Sequence, residues 1–378
     1  MSQDKDMSRT CDISPARAPV YESIADHLRR SIRAGQYRPG DLVGSEQGLA
    51  RQQGISRMTM RRASEVLINE GLLERRPGKG LYVRDTAGRG ALRRIQVVAG
   101  NLDWEPSLQV SRGVQAAAQS MRTIVQLYDA HGDTELDLEM LRQLPESSAQ
   151  GAVIMSLHSP VFNDAVCRLA TTGFPFVLAD QRMRDLNVPS VTADNYGGGY
   201  KAAEHLLSLG HKRIAFVGDL EATTVEDRLS GMRDAIADSG LPFNRSLVTD
   251  VSKGKETTER WMECSEVAIR DLLSRPERPT AIFCSCDAIA YAACRVAASM
   301  GLKVPEDLSV MGFDDTPLAR MVSPALTTIR QPFEEMGRAA IELLTERIDN
   351  PGTCSAPAQH RVLPVELVVR ESTGQCRV

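Results

Sequence analysis

SEQGLARQQGISRMTMRRASEVLINEGLL, residues 45–73, reads as two helices joined by a tight turn. Leu49 and Ala50 mark a short first helix, Gly54 and Ile55 make the turn, and Ser56 opens the second helix. Met60, Ala63, Val66 and Leu67 then recur at helical spacing, which predicts a core-facing stripe. Arg57, Thr59, Arg61 and Arg62 are left facing outward in the first turns. Those residue types suit a nucleic-acid groove: arginine matches guanine O6 and N7, and threonine reaches base edges or phosphate. Ser56 is placed to cap the helix, leaving its first amides available to a phosphate. A short helix, a glycine turn and a second helix that is basic at its start form the helix-turn-helix pattern.

The flanking text completes a small domain. Upstream, Val20, Ile24, Leu28 and Ile32 predict one more amphipathic helix stopped by Gly35, and QYRPGD is a turn by composition. Downstream, residues 72–75 and 81–83 predict two short strands around Arg76-Pro77-Gly78-Lys79-Gly80. This hairpin has a basic tip, a wing, so residues 18–84 are expected to be a winged helix. Residues 1–17 are polar and aperiodic and are expected to be disordered. Residues 85–94, DTAGRGALRR, read as a linker.

From Ile95 the pattern changes to apolar strands alternating with helices: IQVVAG, TIVQLYDA, GAVIMSL, PFVLAD, RIAFVGD, TAIFCS and LSVMGFDD are the strand-like runs. Such alternation predicts parallel sheets with helices on both faces, and its length predicts two doubly wound lobes. The expected fold class is therefore α/β, with a winged helix-turn-helix ahead of a two-lobed core. Charge follows the same division. Residues 1–90 carry 16 Lys and Arg against 11 Asp and Glu, whereas residues 91–378 carry 29 against 38. Positive charge thus gathers where phosphate contact is expected.

The opening MSQDKDMSRT lacks the apolar run of a secretory signal, and no run reaches membrane-spanning length, so a cytoplasmic, nucleoid-associated bacterial chain is expected. The eight cysteines (Cys11, Cys167, Cys264, Cys284, Cys286, Cys294, Cys354 and Cys376) lack paired metal-site spacing. No G-x-S-x-G, H-E-x-x-H or phosphate-loop motif occurs. His27, His131, His158, His205, His211 and His360 lack nucleophile or metal companions at useful spacing. The expectation is a non-enzyme with neither metal nor cofactor.

Residues 18–84 resemble the DNA-binding domain of the GntR family, through PVYESIADHLRRSIRAGQYRPGD, SEQGLA, GISRMTMRRASEVLINEGLLERR and PGKGLYV. The resemblance implies DNA contacts from Arg57, Thr59 and Arg61, minor-groove contacts from Gly78 and Lys79, and secondary contacts from Ser45, Gln47 and Ser56. Two departures stand out: Gln47 replaces a usual Arg, and Gly44 a usual Pro. Residues 95–373 resemble the effector core of the LacI family, itself similar to periplasmic sugar-binding proteins. The matches include ADNYGGGYKAAEHLLSLGHKRIAFVGD, RLSGMRDAI and GFDDTPLARMVSPALTTIRQPFEEMGRAAIELL. The resemblance implies lobes over about 95–192 with 332–360 and 193–331 with 361–375, joined by crossovers near Ala193, Gln331 and Arg361.

A ligand would sit between those lobes. Polyols are held by planar polar side chains and a stacking aromatic ring. Asp103 and Trp104 follow the first strand, while Asp180, Arg228, Asp287 and Asp314 match ligand positions. Gln331 and Phe333 lie at a crossover, where contact with ligand and hinge is expected. Asp194 reads as a helix cap, Asp315 as a turn or cap, and Trp261 as a packing residue. Cys286 stands where the family usually has Asn. Implied partners are operator DNA, a second copy of the chain and a small effector, expected to be a monosaccharide, with nucleoside or amino acid left open. The resemblance implies a repressor released by its effector; a ligand-activated or corepressor-type regulator is the alternative.

Overall fold

The computed structural model describes residues 20–33, 35–84, 92–155, 160–184, 186–253, 258–350 and 359–377. The expectations for residues 1–17, for residues 85–91 of the linker, and for Cys11, His158 and Cys354 lie outside them. The chain divides into two compact units, Met1–Ala91 and Leu92–Val378.

The first unit runs α1 (Val20–Arg33), β1 (Leu42–Gly44), α2 (Glu46–Gln52), α3 (Arg57–Asn69), β2 (Leu73–Arg76) and β3 (Gly80–Val83). Its three strands form an antiparallel sheet in the order β1-β3-β2. Ala25 and Leu28 of α1, Leu49 and Ala50 of α2, and Met60, Ala63 and Leu67 of α3 close over Leu73 and Leu81 of the hairpin. Val20 begins α1 but is 59% exposed, so the buried stripe of that helix starts a turn later than its apolar spacing suggested. Gly44 has φ +145°, which a proline ring fixed near −65° cannot adopt. A side chain there would also press on Leu49, its Cβ 3.1 Å from Cγ. The departure from proline thus reflects a different backbone entry into α2.

The second unit carries two parallel sheets. Its first lobe contains β4 (Arg93–Ala99), α4 (Glu105–Ser120), β5 (Thr123–Asp129), α5 (Thr134–Gln143), β6 (Gly151–Met155), α6 (Pro160–Thr171), β7 (Phe176–Ala179) and β8 (Ser190–Ala193). The second lobe follows with α7 (Asn195–Ser208), β9 (Ile214–Gly218), α8 (Thr223–Asp238), β10 (Val248–Asp250), α9 (Thr258–Leu273), β11 (Ala281–Cys284), α10 (Asp287–Ser299), β12 (Ser309–Met311), α11 (Pro317–Met321) and β13 (Thr328–Arg330). The chain then returns through α12 (Phe333–Asp349) and β14 (His360–Leu363) before ending the fold with β15 (Glu366–Val368). Strand orders are β14-β8-β7-β6-β4-β5 and β10-β9-β11-β12, with β13 and β15 paired antiparallel. β6, β7, β9 and β11 are buried along their whole length, which is why they read as unbroken apolar runs.

The chain passes between the two lobes three times: between β8 and α7, between β13 and α12, and between β14 and β15. The third passage comes later than the expected Arg361. Arg361 still pairs with Val191 in the first sheet, as does Leu363 with Ala193, and its guanidinium holds Glu346 of α12 at 2.9 Å. The chain leaves the first sheet only after Leu363. Behind the second sheet, His211 is 3% exposed and bridges Thr280 Oγ1 (3.0 Å), Ser309 Oγ (2.9 Å) and the Gly374 carbonyl (3.1 Å). Burial holds its imidazole below the usual histidine range, so it pins the C-terminal tail as a neutral ring.

Candidate functional site

Two surfaces qualify. On the winged helix, Ser56 Oγ accepts from the Thr59 amide at 3.1 Å and fixes the start of α3. Arg57 and Arg61 are exposed on its first turns and Thr59 is half-buried. Arg57 has no hydrogen bond or ion pair among the described residues, whereas Arg61 Nε meets Glu65 at 3.1 Å. Ser45 caps α2, accepting from the Gly48 amide at 3.0 Å, and Gln47 beside it is exposed. Glu46 is spent internally, accepting from Ser64 Oγ at 3.1 Å and Arg75 at 2.5 Å. Gly78 (φ +73°) turns the wing tip and leaves Lys79 exposed. Arg76 lies 4.3 Å over the Tyr82 ring and stiffens the wing.

The second surface is the cleft within the α/β unit, where the C-terminal ends of strands from both lobes meet, the usual ligand position in such sheets. Its centre is Arg228, 5% exposed on α8. Arg228 Nε donates to Asn195 Oδ1 at 2.8 Å, and Nη1 donates to the Ser285 carbonyl. The guanidinium lies 3.8 Å above the Phe313 ring, and Nη1 is 3.9 Å from Asp314 Oδ1. Asp314, at φ +116°, accepts from Gln331 Nε2 at 2.7 Å. Asp180 follows β7 at φ +58°, beside the Arg228 guanidinium, whose charge pulls its pKa down. Burial outweighs that pull and pushes the Asp180 carboxyl up to about 6. It likewise raises the Asp314 carboxyl well above its usual range, against the attraction of Arg228.

What sets Arg228 in place is a contact between α7 and α8. Gly199 of α7 abuts the Arg228 carbonyl, and Gly231 of α8 abuts the Tyr196 carbonyl, so neither has room for a Cβ. Gly199→Ala is expected to force these helices apart at a cost of about 1–3 kcal/mol, read as a lower urea midpoint. An unchanged midpoint would mean the contact relaxes freely.

Asp180, Arg228, Asp314 and Gln331 are thus brought together, and the other expected ligand residues are not. Asp287 is consumed: its carboxylate accepts from Thr328 Oγ1 (2.6 Å) and from the Thr316 amide (2.7 Å) and hydroxyl (3.0 Å). Phe333 is 2% exposed and belongs to the apolar core beneath α12. Asp103 is exposed, and Trp104 rests against Trp261 with ring centroids 5.4 Å apart. Trp261 is a packing residue as expected, 8% exposed with Nε1 donating to the Val251 carbonyl at 2.9 Å. Asp194 caps α7 through the Gly197 amide. Asp315 takes a left-handed turn conformation (φ +56°) and caps no helix; its carboxylate is clamped by Arg330 (2.7 Å), Arg370 (2.5 Å) and Arg320 (3.4 Å). Cys286 precedes α10 without a side-chain cap bond, and burial pushes its thiol up to about 12.

Sequence reading missed Asn195 and Phe313, which hold Arg228. Neither carries a spacing signal, because the contact arises only when α7, α8 and the end of β12 converge. A cavity of about 360 Å³ opens beside the cluster, lined by Gln109 of the first lobe and by Asp314, Gln331, Arg320 and Arg330 of the second. Among the described residues, no group of three acidic, histidine or cysteine side chains is placed to hold a metal ion, and no helix is long and apolar enough to cross a membrane.

A winged helix with a basic reading face, joined to a two-lobed α/β unit with a polar interlobe cleft, defines a ligand-responsive transcription regulator. Residues 20–83 match the bacterial regulatory proteins of the gntR family, and residues 203–373 match the periplasmic binding protein-like domain. The arabinose metabolism transcriptional repressor of Geobacillus stearothermophilus is 29% identical over 94% of this chain and 98% of its own length. The ribose operon repressor of Haemophilus influenzae is 31% identical over 78% of this chain and 83% of its own. A LacI family regulator from Enterococcus faecium, solved with bound ribose, superposes with TM-score 0.63 at 26% identity, over 75% of this chain and 99% of that one. The chain belongs to the LacI family of transcriptional regulators by its effector core and carries a gntR-family DNA-binding domain in front of it.

Proposed function

We propose that this protein represses carbohydrate-utilisation genes as a cytoplasmic homodimer and leaves its operator when a monosaccharide occupies the Arg228 cleft. The observation that carries the reading is the pairing of an exposed basic helix start at Arg57 with a buried Arg228–Asp314–Gln331 cluster between two lobes. One relative, matched over 94% of this chain, is named an arabinose metabolism transcriptional repressor, and another, matched over 78%, a ribose operon repressor. Dimerisation is supported on two grounds. A single winged helix covers too little DNA for useful specificity. The strand β5 is an open sheet edge carrying Ile124, Leu127 and Tyr128, exposed by 39%, 37% and 37%. Closure of the lobes would change how two heads address paired half-sites, coupling effector and DNA affinity.

A gel-shift assay with DNA upstream of the protein's own coding sequence tests this, with L-arabinose and D-ribose as probes. A shifted band that dissolves on sugar addition is expected. A band strengthened by every sugar that binds would instead make the sugar a corepressor.

A further inference from the structure

Between Ser56 and Arg62, most side chains at the start of α3 are already engaged within the winged helix. Ser56 Oγ and Thr59 Oγ1 are hydrogen-bonded at 2.8 Å, so both hydroxyls serve the cap. Arg61 meets Glu65, and the Arg62 guanidinium lies 5.6 Å from the centre of the Tyr21 ring on α1. Met60 belongs to the core with Ala63 and Leu67. Among the described residues, that leaves Arg57 and Met58. Met58 is 69% exposed, the most exposed large apolar side chain of this unit among the described residues. Its direction follows from helix geometry, in which each residue turns about 100° from the last. The buried residues Met60, Ala63, Ser64 and Leu67 gather around one direction of that wheel, and Met58 points almost straight away from it. A single exposed methionine needs no explanation on most of a surface. Here it stands at the pole of the solvent face, beside Arg57, on the turn that enters a major groove.

We infer that Met58 is a specificity-determining residue that reads a thymine, packing its thioether end on the 5-methyl group beside the guanine addressed by Arg57. Thymine is the one base that presents a methyl group in the major groove, and apolar side chains recognise it by contact, without a hydrogen bond. Methionine suits the task. It is unbranched and polarizable, so it reaches past its neighbours and moulds itself to a small apolar target. Each methyl group that the contact takes out of water is worth about 4-fold in affinity. The contact carries no charge, so it adds sequence preference without adding a phosphate contact or steepening the salt dependence. The inference rests on α3 as the DNA-reading helix and is independent of which effector fills the cleft.

The full chain is first used to enrich its preferred site from a random double-stranded DNA library, and each thymine of that site is then replaced singly by deoxyuridine. The exchange removes only the 5-methyl group and keeps base pairing and every hydrogen-bonding edge. Fluorescence anisotropy is expected to show one thymine, or one per repeat of the site, whose missing methyl weakens wild-type binding about 3–10-fold. Met58→Gln, similar in length but polar, should bind the thymine and uracil sites equally, and Met58→Leu should keep the discrimination. At 69% exposure neither substitution should move the melting temperature, and the salt slope of both should match wild type. The inference is overturned if no deoxyuridine exchange weakens wild type, or if Met58→Gln discriminates as strongly as wild type does. A library from which no sequence is enriched would remove the reading role of α3 itself, and that of Met58 with it.

Discussion

Arg228→Ala is expected to abolish the effector response while leaving operator binding without effector intact. Arg228 lies among Asp180, Asp314 and Asn195, and it ties α8 to Asn195 of α7 and to the Ser285 carbonyl that follows β11. Truncating a buried, hydrogen-bonded charge in a ligand site costs about 2–5 kcal/mol of binding, roughly 30-fold or more. The fold should survive. Without the guanidinium the Asp314 carboxyl rises further and takes up a proton, which removes the uncompensated charge. Two readouts check the result. One is the effector-induced thermal shift, expected to vanish. The other is tryptophan emission, because the chain's 2 tryptophans, Trp104 and Trp261, sit in contact and come from different lobes. Lobe movement on effector binding should change the emission of wild type and not of the variant. A variant that keeps a full thermal shift would remove Arg228 from the site.

On the winged helix, Arg57→Ala is expected to cost about 1–3 kcal/mol of operator affinity and to relax sequence preference at one base pair. The side chain is exposed and has no hydrogen bond or ion pair among the described residues, so the loss should appear in binding and not in the melting temperature. Arg61→Ala should cost less, since its guanidinium leaves an ion pair with Glu65 to reach DNA. Lys79→Ala at the wing should weaken all sequences alike and lower the salt slope by about 1. Fluorescence anisotropy across a salt series separates these effects. Equal affinity of Arg57→Ala and wild type on the operator would show that the reading contact lies elsewhere on α3.

How much of this was legible beforehand varies with the range of the interactions involved. The winged helix was readable nearly residue by residue, because caps, turn glycines and helical spacing act within a few positions. Ser45, Ser56 and Gly54 each announce a local geometry that no distant contact alters. Parallel strands were equally plain, since a strand covered on both faces must be apolar throughout. Cleft residues were readable only by type. Arg228, Asp180 and Asp314 were named, yet their charge balance depends on burial, which the residue types do not express. Asp287 looked like a ligand through its match to a ligand position, and that match reads the same whether Thr328 and Thr316 satisfy the carboxylate or not. Phe333 looked like a crossover contact but is core, because α12 folds back beneath the first sheet.

The sequence by itself therefore determined the two parts of this protein, the reading helix with its wing, and the alternation that builds two parallel sheets. Local hydrogen bonds and side-chain period suffice for those. The tertiary structure alone decided which polar groups meet. Gly199 lets α8 approach α7 closely enough for Arg228 to reach Asn195, and Phe313 gives the guanidinium a floor. The passages between the lobes leave Asp180 and Gln331 facing one another's neighbours with acceptors unfilled. The hydrogen-bonded partners in the cleft lie 17, 33 and 57 positions apart in the chain, so no spacing rule reaches them, and their meeting is a property of the assembled cleft.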